Sequence, residues 1–436
     1  MSVTIAFSDE LIGRIKPLNG GNQAPPLHGE ENPFNNNDRG SKYIRDAYAE
    51  LHLDHARLHD APLENPGMRL VDIHMIFGNF HADPEDPRNY YFEQTDDYIA
   101  NCIAGGTPIY YRLGASIEHS LKKYFVKPPT DYVKWIDIAS HIIQHYNEGW
   151  ANGFHYGIEY WEIWNEPDLG PKMWTGTEEE FFNFYLQVAT ELKKRFPHLK
   201  IGGPAHARFL DPEKRFLKFC AEHHAPLDFY SYHKYTTTPL EEILTTPFEV
   251  RNILDELGYT KTEIHVNEWH YVFATDADRA KENGVEHAYK GLEAGAAAVL
   301  VMSRWQDTPV DKASYYTATT SPRYGLFFNG KIKTKSYYAF LAFGKLTRYP
   351  ERLRAESSSD HVSALAGRCA DSSKALLISC YRTGSETLEI SGCRNIEEIL
   401  IVDDAHDLEP VEYENIEEKI RLPLVSDSSV VFIRFH

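Results

Sequence analysis

The chain of 436 residues is 42% hydrophobic and 25% charged, a composition typical of a globular protein with one large core or two unequal ones. Its formal net charge of −19 argues against nucleic acid as a partner, because proteins that bind nucleic acid contact phosphates through clustered Lys and Arg. The longest apolar stretch, 294–302, is about half as long as a membrane span, and the N-terminus lacks the pattern of a signal peptide. We therefore expect a cytoplasmic protein with no membrane segment.

Short strand-like runs alternate with longer runs of helical spacing through most of the chain. The strand-like runs are 12–21, 55–60, 107–114, 158–167, 200–205, 228–233, 263–270 and 299–305. The candidate helices are 43–51, 93–104, 131–147, 178–195, 212–224, 249–257, 281–294 and 336–348. Such alternation predicts parallel strands with crossover helices, and eight units are the number in a (β/α)8 TIM barrel. An open doubly wound sheet is the alternative, but no Gly-rich phosphate-binding loop follows any of these strands.

C-terminal to the last candidate helix, the pattern changes to runs of period two. These runs are 375–381, 386–391, 397–403 and 428–436. Period two predicts antiparallel strands, so we expect a small C-terminal antiparallel β-sandwich, with residues 2–7 as a candidate further strand. The predicted domains are a catalytic barrel at 12–348 and an accessory domain at 1–11 plus 349–436.

The cysteine and histidine patterns predict a site without a metal or another cofactor. The five cysteines are odd in number and form no C-x-x-C pair, so reduced thiols are expected rather than disulfides or a zinc site. The 21 histidines include no H-E-x-x-H motif.

Reactive groups in a barrel of parallel strands lie at the carboxyl ends of the strands. Polar and aromatic side chains collect at these ends: Arg57, His59, Arg112, Asn165, Glu166, His206, His233, Tyr235, Asn267, Glu268 and Trp305. Glu166 and Glu268 each end an otherwise apolar strand and directly follow an asparagine. Three strand-helix units separate them, so their strand ends can face each other across the barrel mouth.

Two facing carboxyl groups suggest a specific chemistry. A pair about 5–5.5 Å apart fits retaining glycoside hydrolysis, in which one carboxylate attacks the anomeric carbon and the other donates and later removes a proton. These roles require two different pKa values, set by an apolar surrounding for the acid and a positive neighbour for the nucleophile. Glu162 faces the same way as Glu166 but deeper, so we expect a buried ion pair with Arg57 or Arg112.

The string WEIWNEPD at 161–168 resembles the acid/base signature of the large clan of retaining glycosidases built on the (β/α)8 barrel. In that clan an Asn-Glu pair ends strand four and a Glu ends strand seven. Together with RLHDAPL (57–63), YSYHKY (230–235) and VNEWHY (266–271), the chain looks most like glycoside hydrolase family 39. The best-known members of this family are β-xylosidases with a barrel and a β-sandwich.

This resemblance implies a role for each matching residue. Glu166 would be the acid/base, Glu268 the nucleophile, and Asn165 the group that binds the sugar 2-hydroxyl. Arg57 would keep Glu268 ionised. The remaining expected substrate-binding residues are His59, His233, Tyr235, Trp305, Trp269 and His119. Trp305 is expected to stack on a sugar ring from the end of the last strand.

The expected activity is retaining hydrolysis of short oligosaccharides or glycosides, with a carbohydrate as the only partner that the site implies. A transglycosidase with the same site is an alternative, because the access of water to the pocket decides whether water or another hydroxyl group accepts the sugar. Two further hypotheses are a carbohydrate-binding barrel without activity and a metal-dependent barrel hydrolase. The sequence leaves open the sugar, the linkage and whether the protein forms a homo-oligomer.

Overall fold

The computed structural model of the protein describes residues 2–25, 44–60, 69–272, 289–321, 323–328, 332–384, 387–416, 419–424 and 426–436. After strand β1 (Ser2–Arg14), a closed barrel of eight parallel strands follows within this part of the chain. Its strands are β2 (Gly20–Asn22), β3 (Ala56–Leu58), β4 (Ile109–Leu113), β5 (Tyr160–Ile163), β6 (Lys200–His206), β7 (Phe229–Thr236), β8 (Glu263–Tyr271) and β9 (Lys312–Tyr315). The predicted TIM barrel is confirmed.

Helices cover the outside of the barrel. They are α1 (Arg45–Glu50), α2 (Ile73–Ile76), α3 (Glu93–Ala104), α4 (Tyr132–Asn147), α5 (Glu178–Arg195), α6 (Asp211–Glu222), α7 (Glu242–Glu256), α8 (Leu292–Arg304) and α9 (Lys335–Thr347). Short 3₁₀ turns lie at Pro87–Asn89, Trp150–Asn152, Pro167–Lys172 and Trp305–Asp307. Of the predicted helix 281–294, residues 281–288 lie outside the described residues. Among the helices that the structure describes, none combines the length and apolar character of a membrane span.

Helix α5 illustrates how local sequence sets an element's boundaries. Thr177 Oγ accepts a hydrogen bond from the backbone N–H of Glu180 at 3.1 Å, and the Glu180 carboxylate accepts one from the N–H of Thr177 at 2.7 Å. Such a capping box stabilises a helix by about 1 kcal/mol. Glutamates fill the first turn of α5 and basic residues the last, which suits the helix dipole. The start of α5 is therefore well fixed.

The C-terminal part forms one curled sheet of mainly antiparallel strands. Its strands after β1 are β10 (Glu351–Ser357), β11 (Val362–Arg368), β12 (Lys374–Cys380), β13 (Thr387–Ser391), β14 (Ile396–Val402), β15 (Asp407–Pro410), β16 (Glu414–Ile416), β17 (Lys419–Pro423) and β18 (Ser429–Phe435). Strand β1 joins the two halves, because it pairs antiparallel with β10 and parallel with β13. One face of the sheet encloses its own apolar core, as in a small β-sandwich.

The barrel and the sheet share a second, continuous core. Apolar residues on the other face of the sheet, such as Leu377 and Phe432, belong to the same buried cluster as the barrel residues. Helices α8 and α9 lie between the two parts and contact β12 and β18. Gly13 and Arg14 pair with β10 in the sheet, so we propose that the barrel domain begins after residue 14 rather than at residue 12.

One predicted barrel strand is wrong, and another overlaps the observed strand only at its end. Residues 299–304 of the predicted run 299–305 lie in helix α8. The eighth strand is β9, which begins eight residues after the end of α8. The first strand is β2, at the end of the predicted run 12–21. The other six predicted strands each overlap an observed barrel strand.

Candidate active site

Arg57 is the centre of a buried hydrogen-bond network at the mouth of the barrel. Its guanidinium is fully buried on β3 and donates to Glu162 Oε2 at 2.7 Å and to Asn22 Oδ1 at 2.9 Å. It also donates to Asn165 Oδ1 at 2.6 Å and reaches Glu268 Oε2 at 3.4 Å. A buried ion needs several such partners to offset its lost hydration. Arg57 thereby links strands β2, β3, β5 and β8.

Glu162 is the buried ion partner of Arg57, which confirms the predicted pair. Its other oxygen, Oε1, accepts from Ser231 Oγ at 2.7 Å and from the amide of Asn267. Arg112, the alternative partner, instead donates to Asp72 Oδ1 at 2.5 Å. Because both oxygens of Glu162 are occupied by protein donors, Glu162 supports the site and is not free to react.

The seventh barrel strand, β8, is irregular where it carries its functional residues. Its pairing with β9 shifts register between Val266 and Trp269. In a regular strand, neighbours such as Asn267 and Glu268 would point to opposite faces. Here Asn267 contacts Glu162 and Glu268 contacts Arg57, so the irregularity turns both side chains into the barrel.

Glu166 lies in a sharp turn directly after β5. Its φ and ψ are 45° and 48°, a left-handed conformation that costs a non-glycine residue about 1–2 kcal/mol. Its backbone N–H donates to the carbonyl of Ala205 at 2.8 Å. Two residues later, Asp168 Oδ1 accepts from the N–H of Ala207 at 2.9 Å. These two bonds join the turn to the end of β6 and to the loop after it, and they hold the conformation in place.

Burial prepares Glu166 to act as an acid near neutral pH. Loss of hydration raises the pKa of Glu166 to about 7, and the charge of Arg57 opposes this rise only in part. Glu166 Oε1 lies 2.9 Å from His233 Nδ1. Burial lowers the pKa of His233 to about 4, so the imidazole is neutral at pH 7 and can either accept from or donate to Glu166.

Glu268 is buried opposite Glu166, with only 6% of the residue exposed. Its Oε1 accepts a hydrogen bond from the Tyr235 hydroxyl at 2.7 Å, and its Oε2 faces Arg57. Burial raises the pKa of Glu268 above its ordinary value of 4.5, while Arg57 and the Tyr235 hydrogen bond act in the opposite direction. The two oxygens are thus held by one hydroxyl donor and one permanent cation.

The structure brings most of the predicted site residues together. His59 Nε2 lies 3.9 Å from Glu268 Oε2, and His233 Nε2 lies 3.8 Å from the same atom. The buried side chain of Asn165 interacts with the Glu166 carboxylate and lowers its pKa, but its amide nitrogen makes no hydrogen bond of good geometry within the described residues. A buried donor without a well-placed acceptor costs free energy, so this amide marks a position where a ligand oxygen could accept a hydrogen bond.

Three predicted site residues do not reach either glutamate. Trp305 is fully buried in the turn after α8, where its Nε1 donates to the carbonyl of Ile243 at 2.9 Å, because the run assigned to the last strand is a helix. Trp269 is fully buried on the outside of the barrel and packs against Trp305 and Tyr315. His119 is exposed on the loop after β4, with no hydrogen bond to the glutamates in the part that the structure describes.

Sequence reasoning missed Asp168 and Asn22 as parts of the site. Burial raises the pKa of Asp168 to about 7, and its Oδ2 is buried without a hydrogen-bond partner among the described residues. The sequence feature that points to Asp168 is its position two residues after Glu166. Asn22 had no local signal, because its contacts to Arg57 and Asn267 depend on the closure of the barrel.

The site contains a group of side chains that could bind a metal ion. Single ligand atoms of Glu166, His233 and Glu268 all lie within 4.8 Å of one another, a set that could hold a cation. The guanidinium of Arg57 already supplies a positive charge 3.4 Å from Glu268, and a second cation there would be repelled. A metal-free site stays a prediction.

The fold and the site together define a class: a (β/α)8 barrel with two facing glutamates at the ends of its fourth and seventh strands. The model of the family "Glycosyl hydrolases family 39" matches residues 57–412. The chain therefore belongs to glycosyl hydrolase family 39, as its motifs predict.

Curated relatives match parts of the chain. A beta-xylosidase from Geobacillus stearothermophilus is 28% identical over 252 residues, which are 51% of this chain and 48% of that protein. A beta-xylosidase from Caldicellulosiruptor saccharolyticus is 32% identical over 145 residues, 32% of this chain and 26% of that protein. The matched regions thus span about half and a quarter of these relatives.

Solved structures match along nearly the whole chain and bear on the fold. A glucosidase from Croceicoccus marinus has a TM-score of 0.80 at 23% identity and covers 100% of this chain and 99% of its own. A monomeric beta-xylosidase from Caulobacter crescentus has a TM-score of 0.73 at 15% identity, with 99% of both chains covered. The barrel with an attached sheet is therefore shared by both proteins.

Proposed function

We propose that the protein is a retaining glycoside hydrolase that acts by double displacement on glycosides or short oligosaccharides of the β-xyloside type. The observation that carries the proposal is the facing pair of carboxylates, of which one oxygen from each lies within 4.8 Å of the other. So close an approach supports a retaining pair, whose carboxyl groups are about 5–5.5 Å apart, over an inverting pair at about 6.5–9.5 Å, which leaves room for water. The curated beta-xylosidases support the choice of sugar.

In the first step, a Glu268 carboxylate oxygen attacks the anomeric carbon while Glu166 donates its proton to the glycosidic oxygen. The leaving group departs as an alcohol, and the sugar stays bound to Glu268 as an ester. In the second step, Glu166 removes a proton from water, which attacks the same carbon and releases Glu268. Asn165 would bind the sugar 2-hydroxyl through its amide, and His59, His233 and Tyr235 would orient the sugar and the two carboxyl groups.

A panel of p-nitrophenyl glycosides, α and β, pyranosyl and furanosyl, tests the proposal. We expect release of p-nitrophenol from the β-D-xylopyranoside, with the β-anomer of xylose as first product by NMR. Activity should persist in the presence of a chelator, since no step needs a metal. An initial α-anomer, or loss of activity on chelation that is restored by added metal, would contradict the proposed mechanism.

The pH dependence of kcat/KM should be bell-shaped. Glu166 must be protonated, so activity should fall as the pH rises through its pKa of about 7. Glu268 must be ionised, so activity should fall as the pH drops through its pKa, which burial places above 4.5. The control is a 2,4-dinitrophenyl xyloside, whose leaving group needs no proton. If the alkaline limb remained with this substrate, the limb would belong to a group other than Glu166.

Two further properties stay predictions from the sequence. These are a cytoplasmic location and the absence of nucleic-acid binding. All five cysteines are free thiols, which suits a reducing compartment.

A further inference from the structure

Asp60 is a third carboxylate at the mouth of the barrel, and it takes no part in the two proposed displacement steps. It follows His59 directly after β3, and its φ of 49° lies in the left-handed region. Its side chain is 14% exposed. Oδ2 accepts a hydrogen bond from the Tyr316 hydroxyl at 3.2 Å, and Arg69 Nε lies 3.6 Å from Oδ1. A largely buried carboxylate in a strained backbone conformation is costly, so its presence points to a function.

His59 lies between Asp60 and the nucleophile. Its Nε2 is 3.5 Å from Asp60 Oδ2 and 3.9 Å from Glu268 Oε2, and both distances are longer than a hydrogen bond. Burial and the nearby charges of Arg57 and Arg112 lower the pKa of His59 well below its ordinary value, so the ring is neutral at pH 7 and carries one N–H. Two carboxylates beside Nε2 favour the tautomer with its proton on that nitrogen. Nε2 then faces the two carboxylates as a donor that a sugar hydroxyl can use.

The negative charge of Asp60 also acts on the catalytic acid. Burial is the main cause of the raised pKa of Glu166, and the charge of Asp60 raises this pKa further. The other titratable and charged groups around Glu166 come from the neighbouring strands and loops of the barrel mouth: Arg57, His233, Glu268, Asp168 and Arg208. Arg57 and Arg208 favour the ionised form of Glu166, so Asp60 opposes these two cations.

We propose that Asp60 is a positioning residue of the active site: it orients His59 toward Glu268, and its charge favours the protonated, acid form of Glu166. The inference rests on the proposed retaining hydrolysis and adds to it a residue that acts through two others. Tyr316 and Arg69 hold the Asp60 carboxylate in place from the side away from the glutamates' own partners. Asp60 would thus set both the donor that faces the sugar and the upper pH limit of activity.

The test measures the pH dependence of kcat/KM for phenyl β-D-xylopyranoside, whose leaving group needs a proton, in the wild type, Asp60→Asn and Asp60→Gly. Asparagine and glycine both tolerate the left-handed conformation at this position. Loss of the charge should move the alkaline limb to lower pH by about half a unit or more, because Glu166 would ionise more readily. At the optimum, kcat/KM should fall about tenfold in Asp60→Asn, since the new amide can donate to Nε2 of His59 and select the other tautomer.

Direct titration of Glu166 gives a second readout that does not depend on activity. In protein labelled with carbon-13 at the glutamate carboxyl groups, the Glu166 signal is the one that disappears in Glu166→Gln. Its titration midpoint should be lower in both Asp60 variants than in the wild type, because each variant removes a negative charge beside Glu166.

Asp96→Asn is the matched control. Like Asp60, Asp96 contacts a histidine ring and a tyrosine hydroxyl, and its side chain is 21% exposed, but it lies on α3 outside the barrel. Its alkaline limb and its Glu166 midpoint should equal those of the wild type.

An unchanged limb and an unchanged Glu166 midpoint in both folded Asp60 variants would overturn the effect of the charge and leave the proposed function standing. A kcat/KM at the optimum equal to that of the wild type in Asp60→Asn would overturn the orienting role. A shift of the same size in Asp96→Asn would overturn the proposal as well, since the effect would then not be specific to the mouth. If the wild type cleaved no xyloside, the proposed function would fail, while the titration midpoints would still decide whether Asp60 acts on Glu166.

Discussion

Replacing Glu268 by alanine is expected to lower kcat for p-nitrophenyl β-D-xylopyranoside by about 10⁴-fold or more, a loss of roughly 5 kcal/mol in transition-state stabilisation. Without the carboxylate, no covalent ester can form and nothing stabilises positive charge at the anomeric carbon from that face. Stopped-time assays with the aryl xyloside measure the loss directly.

Azide should restore part of the activity of Glu268→Ala, because a small anion can enter the space that the carboxylate leaves. It would attack once, from the face of the missing nucleophile, so the product should be the α-glycosyl azide, of inverted configuration. Glu249→Ala is the control: this carboxylate is 52% exposed on α7, and its loss should change kcat less than twofold. A β-azide, or activity within a few-fold of wild type, would remove Glu268 from the nucleophile's role.

Unfolding measurements show whether the loss is chemical. Burial raises the pKa of Glu268, so the folded state holds its proton more tightly than the unfolded state. The contribution of this group to stability is therefore full at low pH and is lost as the pH rises through the folded pKa. At pH 7 the neutral isostere Glu268→Gln should thus have a melting temperature equal to or above that of the wild type, although it should be inactive.

The two glutamates could be located from sequence because their signals are local. Each ends an apolar run at or near the carboxyl end of a barrel strand, and these strand ends lie at one mouth of the barrel. A buried ion pair of Glu162 was also accessible, since even spacing from Glu166 put Glu162 on the inner face, but the choice of Arg57 over Arg112 came from the structure.

The rest of the site depends on side-chain directions and contacts that the regular alternation of a strand does not predict. Asn267 and Glu268 are neighbours, and only the register shift in β8 turns both inward. The contacts of Asn22 arise from strands far apart in sequence. The position of His119 shortly after a barrel strand predicts a place in the pocket, yet its loop carries it to the surface.

The error at the last strand has a clear cause. Residues 294–302 are apolar throughout because α8 is buried on all sides, between the barrel and the sheet, so no polar face reveals a helical period. Its many alanines have a high helix propensity, which is a stronger indication of structure here than the apolar run. The true strand β9 has four residues, two of them Lys312 and Ser314, and gives almost no hydrophobic signal. The expected position of Trp305 at the end of a barrel strand followed from this error.

Replacing Glu166 by alanine should have an effect that depends on the leaving group. For xylobiose, whose leaving hydroxyl needs a proton, we expect kcat/KM to fall about 10²–10⁴-fold, the usual contribution of general acid catalysis. For 2,4-dinitrophenyl xyloside, kcat/KM should change less than tenfold, because that leaving group departs as a stable anion. Steady-state kinetics on both substrates measure the difference.

The second step distinguishes the two glutamates further. In Glu166→Ala, the ester on Glu268 still forms from the dinitrophenyl substrate, but water lacks a base and the ester should accumulate, giving a burst of dinitrophenol followed by slow turnover. Azide needs no base, so it should accelerate turnover and yield the β-glycosyl azide, of retained configuration. The alanine variants at 166 and 268 should thus give azides of opposite anomeric configuration. If both variants gave the same anomer, or if Glu166→Ala lost equal activity on both substrates, the assigned division of roles between the two carboxyl groups would be wrong.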